Sequence, residues 1–237
     1  MFDILKRWLN PASALPARWQ GKPVIDMPML AIDLELTSLD PSKAKITSIG
    51  WVEGQGGRIN LDSAYYQVVR ASGSLEQSPV IHGLTPESLD EGIHISEALD
   101  ALLPYAATHI WVFHNMQLDT GVLDKVMKLN DRFAPQVLIL DTLTYAVYQL
   151  EKQHQVLPPN SATLTVCRQR LGLPLAPAHN ALDDALATLQ LWYAQYFHFN
   201  HRAKNVPIDD FLRIQVVKLK DLGKKCETGV DKRSDSA

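Results

Sequence analysis

Cysteine is nearly absent from this chain: Cys167 and Cys226 stand far apart, and neither belongs to a C-x-x-C pair. That scarcity excludes a disulfide framework and a cysteine-rich metal or redox motif, and makes a reducing cytoplasm the simplest compartment. Long apolar runs are missing as well. Nothing approaches the roughly 20 residues that cross a bilayer, so no membrane partner is expected. The opening residues, MFDILKRWLN, mix charges into apolar positions and lack the continuous apolar stretch of a signal peptide. There is no internal repeat and no low-complexity tract. An excess of positive charge is lacking too, with 23 Lys and Arg against 26 Asp and Glu and a net charge of −3. The imbalance is uneven: residues 1–24 carry +3 and residues 218–237 carry +2, which leaves −8 for the middle. A middle of that sign excludes a broad nucleic-acid footprint. Phosphodiester chemistry there has to be local, with metal ions supplying positive charge.

What is present is enough apolar residue, 46%, for the core of one generous domain with extensions. Residues 1–24 hold Pro11, Pro16 and Pro23 and read as a short amphipathic helix (Phe2, Ile4, Leu5, Trp8, Leu9) and an irregular connector. Residues 25–200 form the body. Met29 to Ser38, Ile46 to Val52 and Tyr65 to Val69 are strand candidates with short connections, hence an antiparallel meander. A loop through Ile81-His-Gly-Leu-Thr-Pro-Glu87 leads to a helix over Ile95 to Leu103. The order then becomes strand (Ile110–Phe113), helix (Leu118–Leu129), strand (Val137–Leu140) and helix (Leu143–Leu150), which argues for parallel strands joined to the meander in one mixed α/β sheet. Helices over Leu164–Leu171 and about Ala181–Phe197 follow. Residues 201–237 read as one more amphipathic helix, with Ile208, Phe211, Leu212, Gln215, Val216, Leu219 and Leu222 on its apolar side, and a polar tail.

Within the first strand, Asp33 and Glu35 stand in an otherwise apolar run. Strand alternation turns both to the same side, where two like charges repel and resist desolvation unless a cation lies between them. An edge strand with one solvated face is the plain structural account. Further on, His114-Asn-Met-Gln-Leu-Asp119 leaves a strand and enters a helix, and His179-Asn-Ala-Leu-Asp-Asp184 leaves a proline-bounded loop and opens a helix. Each acid alone fits an ordinary first-turn position favoured by the helix dipole. His114 fits a strand-end residue satisfying backbone groups.

Taken jointly and in this order, D-x-E, H-N-x-x-x-D and H-x-x-x-x-D resemble the DEDDh branch of the DnaQ-like 3′→5′ exonucleases. The resemblance covers about residues 27–198 and includes Ile81–Glu87, Asp141-Thr142-Leu143 and Cys167-Arg-Gln-Arg-Leu-Gly172. It implies a ribonuclease H-like fold: a mixed sheet of five strands flanked by helices. It places Asp33, Glu35, Asp119 and Asp184 as ligands of two divalent ions, Mg²⁺ or Mn²⁺, roughly 4 Å apart, and His179 as the general base. The spacing to His179 selects Asp184 over Asp183. Leu36, Thr37, His82, Leu84 and Asn115 are the candidate contacts to the terminal nucleotide. Leu36 and Ser38 depart from the family's D-x-E-T-T-G pattern, so the turn beneath that nucleotide is expected to differ in shape.

The expected activity is metal-dependent release of nucleoside 5′-monophosphates from single-stranded nucleic-acid 3′ ends, DNA favoured. RNA trimming or oligonucleotide degradation on the same fold is the alternative, and a retired nuclease fold acting as a binding module is a second. The two terminal segments are candidate contacts to a DNA polymerase or to a second copy, although both could simply cover apolar surface of the body.

Overall fold

The computed structural model describes residues 15–70, 84–153, 158–177, 180–200 and 205–225. Six strands make one sheet in the order β3-β2-β1-β4-β5-β6. Strand β1 (Met29–Leu36) pairs antiparallel with β2 (Ile46–Gln55), and β2 with β3 (Arg58–Val68). On its other side β1 runs parallel to β4 (Ile110–Phe113), and β4 parallel to β5 (Ala134–Asp141). The expected meander and parallel strands are therefore joined as one mixed sheet. Helices α1 (Pro86–Asp90) and α2 (Ile95–Leu102) precede β4, α3 (Met116–Leu129) links β4 to β5, and α4 (Thr142–Lys152) and α5 (Leu164–Arg170) follow. The long α6 (Ala181–Phe199) and short α7 (Ile208–Arg213) complete the helices.

Two segments differ from the sequence expectation. Strand β3 begins at Arg58, seven residues earlier than its apolar pattern announces, because Gly56 and Gly57 take φ of 62° and 77° and close a tight hairpin between Gln55 and Arg58. Positive φ at both central residues is what a two-residue hairpin needs. The second difference is larger. The terminal helix stops at Arg213, and Val217–Leu222 is a sixth strand, β6, antiparallel to β5. Leu212, Val216, Leu219 and Leu222 satisfy a helical spacing, yet Val217-Lys-Leu-Lys220 also alternates with period two. Gln215, at φ 62°, breaks the helix and the open edge of β5 takes up the strand.

Alternation sorts the core onto two faces. Ala31, Val112 and Leu138 turn to α6, where Leu189, Trp192 and Tyr196 meet them with Phe211 of α7. Leu30, Ile32, Trp111 and Ile139 turn to α2 and α3, against Leu99, Leu102, Val122 and Met127. Leu15 and Trp19 also pack on the α6 face. Their segment is clasped to the chain after α6: the Val24 N–H donates to the Val206 carbonyl at 3.0 Å, the Ile208 N–H to the Lys22 carbonyl at 3.0 Å, and the Gly21 N–H to Asp209 at 3.0 Å. The amphipathic helix expected over residues 2–9 lies outside the described residues. Among the described residues no helix is long and apolar enough to cross a membrane.

Candidate active site

Asp33 and Glu35 occupy odd positions of β1, as does Ala31, so they turn toward α6. A register shift between Glu35 and Leu36 ends the regular pairing with β2, and the Thr47 hydroxyl donates to the Glu35 carbonyl at 3.1 Å. Such an irregularity re-aims side chains at a strand end. Helix α6 brings the third acid. Asn180 caps it by accepting the N–H groups of Leu182 (3.0 Å) and Asp183 (3.3 Å), which fixes the first turn and with it Asp184. Carboxylate oxygens of Asp33, Glu35 and Asp184 lie within 4.8 Å of one another.

So close an approach of helix to strand has a specific cause in Gly50. It pairs with Asp33 across β1 and β2, and a Cβ there would stand 2.5 Å from the Ala181 carbonyl carbon and 2.6 Å from the Leu182 Cα. The first turn of α6 rests on the bare backbone of β2. A glycine inside a strand marks this kind of backbone contact, although sequence reading did not single it out.

Asp119 comes from the other side of the sheet. Asn115, at the end of β4, adopts φ 80° and ψ 56°, and its N–H donates to Asp141 at 2.9 Å. This left-handed turn starts α3 and puts Asp119, which is buried, on the covered side of the first turn. It lies outside the group of three, but its charge reaches them. Burial, followed by Asp119, Asp184 and Glu35, pushes the Asp33 carboxyl well above the usual carboxylate range. Burial and Asp184 raise Glu35 to about 7. Asp119 rises to about 8, through burial and the charges of Asp141 and Glu35 against a backbone hydrogen bond that opposes them. Asp33, Glu35 and Asp119 thus resist ionising together near neutrality without cations. An all-oxygen, all-anionic donor set fits hard divalent ions of the Mg²⁺ or Mn²⁺ kind.

The remaining expected contacts are placed unevenly. Leu36 is half-buried at the end of β1, and Leu84 is half-buried just before α1. The Thr37 hydroxyl accepts the Lys45 N–H at 2.9 Å and so closes the β1–β2 turn. The Asn115 side chain makes no capping bond to α3. His82 and His179 lie outside the described residues. One support went unassigned in the sequence. The buried Arg168 guanidinium donates to the carbonyls of Ala187 (2.8 Å) and Pro174 (2.9 Å), tying the loop that precedes α6 to α6 itself. His114 pairs with the Thr142 hydroxyl at 2.8 Å and donates from Nε2 to the Ala162 carbonyl at 3.0 Å, a structural role as expected for a strand-end residue.

Residues 30–192, the span from β1 into α6 that holds all four acids, match the exonuclease family. The chain belongs to that family. The match thus extends over the whole span that contains the three acidic motifs. Among proteins similar to this exonuclease domain, DNA polymerase III PolC-type of Thermotoga maritima is 32% identical over 201 residues, 83% of the chain. The chain spans 13% of that polymerase's length. Among solved structures, the nuclease domain of 3′hExo, a DEDDh family member bound to rAMP, superposes with a TM-score of 0.60 at 13% identity, covering 84% of this chain and 98% of that one. Exonuclease I of E. coli with a dA16 oligonucleotide gives a TM-score of 0.57 at 16% identity, covering 75% and 44%. Both share the ribonuclease H-like exonuclease fold, here with β6 as a sixth strand.

Proposed function

We propose that this chain hydrolyses phosphodiester bonds at the 3′ ends of single-stranded nucleic acid, DNA in preference to RNA, and releases nucleoside 5′-monophosphates. The observation that carries the reading is the meeting of Asp33, Glu35 and Asp184 within 4.8 Å, with Asp119 beside them, in a chain of the exonuclease family. In this reading Asp33 would be the ligand common to two divalent ions, with Glu35 and Asp184 completing one site and Asp119 holding the other. Bound Mg²⁺ or Mn²⁺ supplies Lewis acidity for the attacking water and neutralises the charge that gathers on the phosphate. His179 takes the proton from the attacking water. Leu36, Thr37, His82, Leu84 and Asn115 seat the terminal nucleotide.

The DNA preference is supported by the 32% identity to a DNA polymerase III PolC-type chain, which also favours proofreading or repair with a polymerase as partner; the compartment of this reading is the cytoplasm. Cys167, buried and free, agrees with that compartment. RNA ends are the second reading, favoured by the rAMP-bound relative. The deciding assay follows mononucleotide release from matched DNA and RNA strands in Mg²⁺ or Mn²⁺, with and without EDTA. The reading expects 3′-terminal release, faster on DNA and abolished by EDTA; release that persists in EDTA overturns the metal-dependent chemistry.

The raised carboxyls predict how metal binding varies with pH. In the metal-free fold Glu35 and Asp119 hold protons to about 7 and 8, against ordinary values near 4 in the unfolded chain. Their effect is a destabilisation, absent below about pH 4 and growing as pH rises through 8. Divalent ions relieve it but compete with protons. The Mg²⁺-induced rise in Tm is therefore expected to be small at pH 5 and largest at pH 8, where a hundredfold excess over Kd adds about 2.7 kcal/mol, roughly 5–10 °C for a chain of this size. Thermal unfolding across that range checks it, and a shift independent of pH would contradict it.

A further inference from the structure

Between α3 and β6 runs a groove of about 560 Å³ that the proposed chemistry does not use. Lys218 and Lys220 sit two apart on β6 and both line it; along a strand that spacing is about 7 Å. The Lys220 ammonium donates to the Thr120 hydroxyl of α3 at 2.9 Å. Lys128 and Lys224, which also line the groove, are paired with Asp124 (2.6 Å) and Asp221 (3.8 Å). Among the described residues neither Lys218 nor Lys220 has a carboxylate in ion-pair contact. Burial and then the charge of Lys218 hold the Lys220 ammonium below its usual range, against the pull of Asp124 and Asp141.

Lysines on an edge strand ordinarily guard it against pairing with other chains. These two instead turn into a cleft against a helix, where a bound anion would relieve their mutual repulsion. The cleft also begins at the right end of the molecule. Strand β6 starts beside the end of β5, where the Asp141 N–H donates to the Val216 carbonyl at 3.0 Å and Asp141 receives the Asn115 N–H at the start of α3. Thr120 directly follows Asp119, and successive helical residues point about 100° apart. One turn of α3 therefore offers Asp119 to the acidic cluster and Thr120 to the lysine groove.

We propose that the α3–β6 groove anchors the phosphodiester backbone of the substrate strand on the 5′ side of the nucleotide being removed, with Lys218 and Lys220 as its phosphate contacts. This inference rests on the exonuclease reading. It supplies local positive charge where the middle of the chain, at −8, otherwise repels a polyanion. It also gives β6 a purpose that a five-stranded sheet lacks.

The test compares a dinucleotide with an oligonucleotide of about twelve residues in Mg²⁺, using wild type, Lys218→Ala and the Lys218→Ala/Lys220→Ala pair. For the long strand KM is expected to rise on the order of tenfold in the pair with kcat unchanged, and the slope of log KM against log salt to fall by about 1.4, near 0.7 per lost phosphate contact. The dinucleotide's kcat and KM should stay as in wild type. Lys218→Ala alone, whose ammonium bonds nothing among the described residues, should show about half the slope change, and the Lys218→Arg/Lys220→Arg pair should restore the long-strand KM. Equal effects on both substrates, or none on the long strand, would overturn the groove. Wild type inert on both would instead overturn the exonuclease reading.

Discussion

Asp33→Asn is expected to abolish nucleotide release, by at least about a thousandfold, or roughly 4 kcal/mol of transition-state stabilisation, while making the metal-free protein more stable at pH 8. The two effects have one origin. Asp33 stands between Glu35, Asp184 and Asp119, and all three charges push its proton affinity up. Asparagine keeps the shape and removes the charge, so the fold loses a buried anion that burial and three neighbours oppose. As pH rises above the ordinary carboxylate range, the folded wild type is penalised for each proton it gives up, and the variant has one fewer to give. Single-turnover release and thermal unfolding in EDTA read the two halves separately. An active variant removes Asp33 from the shared-ligand role; an inactive but less stable one shows that the carboxylate is needed to build the site.

Gly50→Ala is expected to cost both stability and activity, because the added methyl meets backbone. The Ala181 carbonyl carbon and the Leu182 Cα would stand at 2.5 and 2.6 Å from it, and neither can rotate away as a side chain can. Helix α6 has to shift by the order of an ångström, at about 1–3 kcal/mol. Because Asp184 lies in that first turn, its oxygens leave the cluster, and a displacement of this size lowers rate on the order of a hundredfold. Restored activity at higher Mn²⁺ concentration would support misplacement of the ligand. Full activity would show that α6 can move without moving the chemistry.

The acidic cluster was legible because each acid sits at the junction of a strongly patterned element: a continuous apolar run around Asp33 and Glu35, helical spacing after Asp119 and Asp184. Position along the chain then forced convergence, since the ends of β1 and β4 and the starts of α3 and α6 meet at one end of a mixed sheet. What stayed hidden depends on contacts across space. Gly50 reads as any glycine until the helix above it is in place. Arg168 was quoted within a motif, yet its purpose lies in carbonyls of Pro174 and Ala187 that no local pattern connects. The run from Leu212 to Leu222 fits two periods at once, and the unpaired edge of β5 decides between them. That choice also hid the lysine groove, because on a helix Lys218 and Lys220 would face different ways.

The clasp between residues 21–24 and 206–209 bears on the order in which the protein is made. Trp19 and Leu15 precede the sheet in the chain, but the groups that hold their segment, the backbone of Val206 and Ile208 and the Asp209 carboxylate, are translated only after α6. Until then Trp192 and Tyr196 lack the part of their cover that Phe211 supplies, and the edge of β5 lacks β6, because both arrive in that same stretch. The domain is thus closed by its two ends together, and a nascent chain stalled before that closure presents an aromatic surface and an open strand to whatever lies nearby.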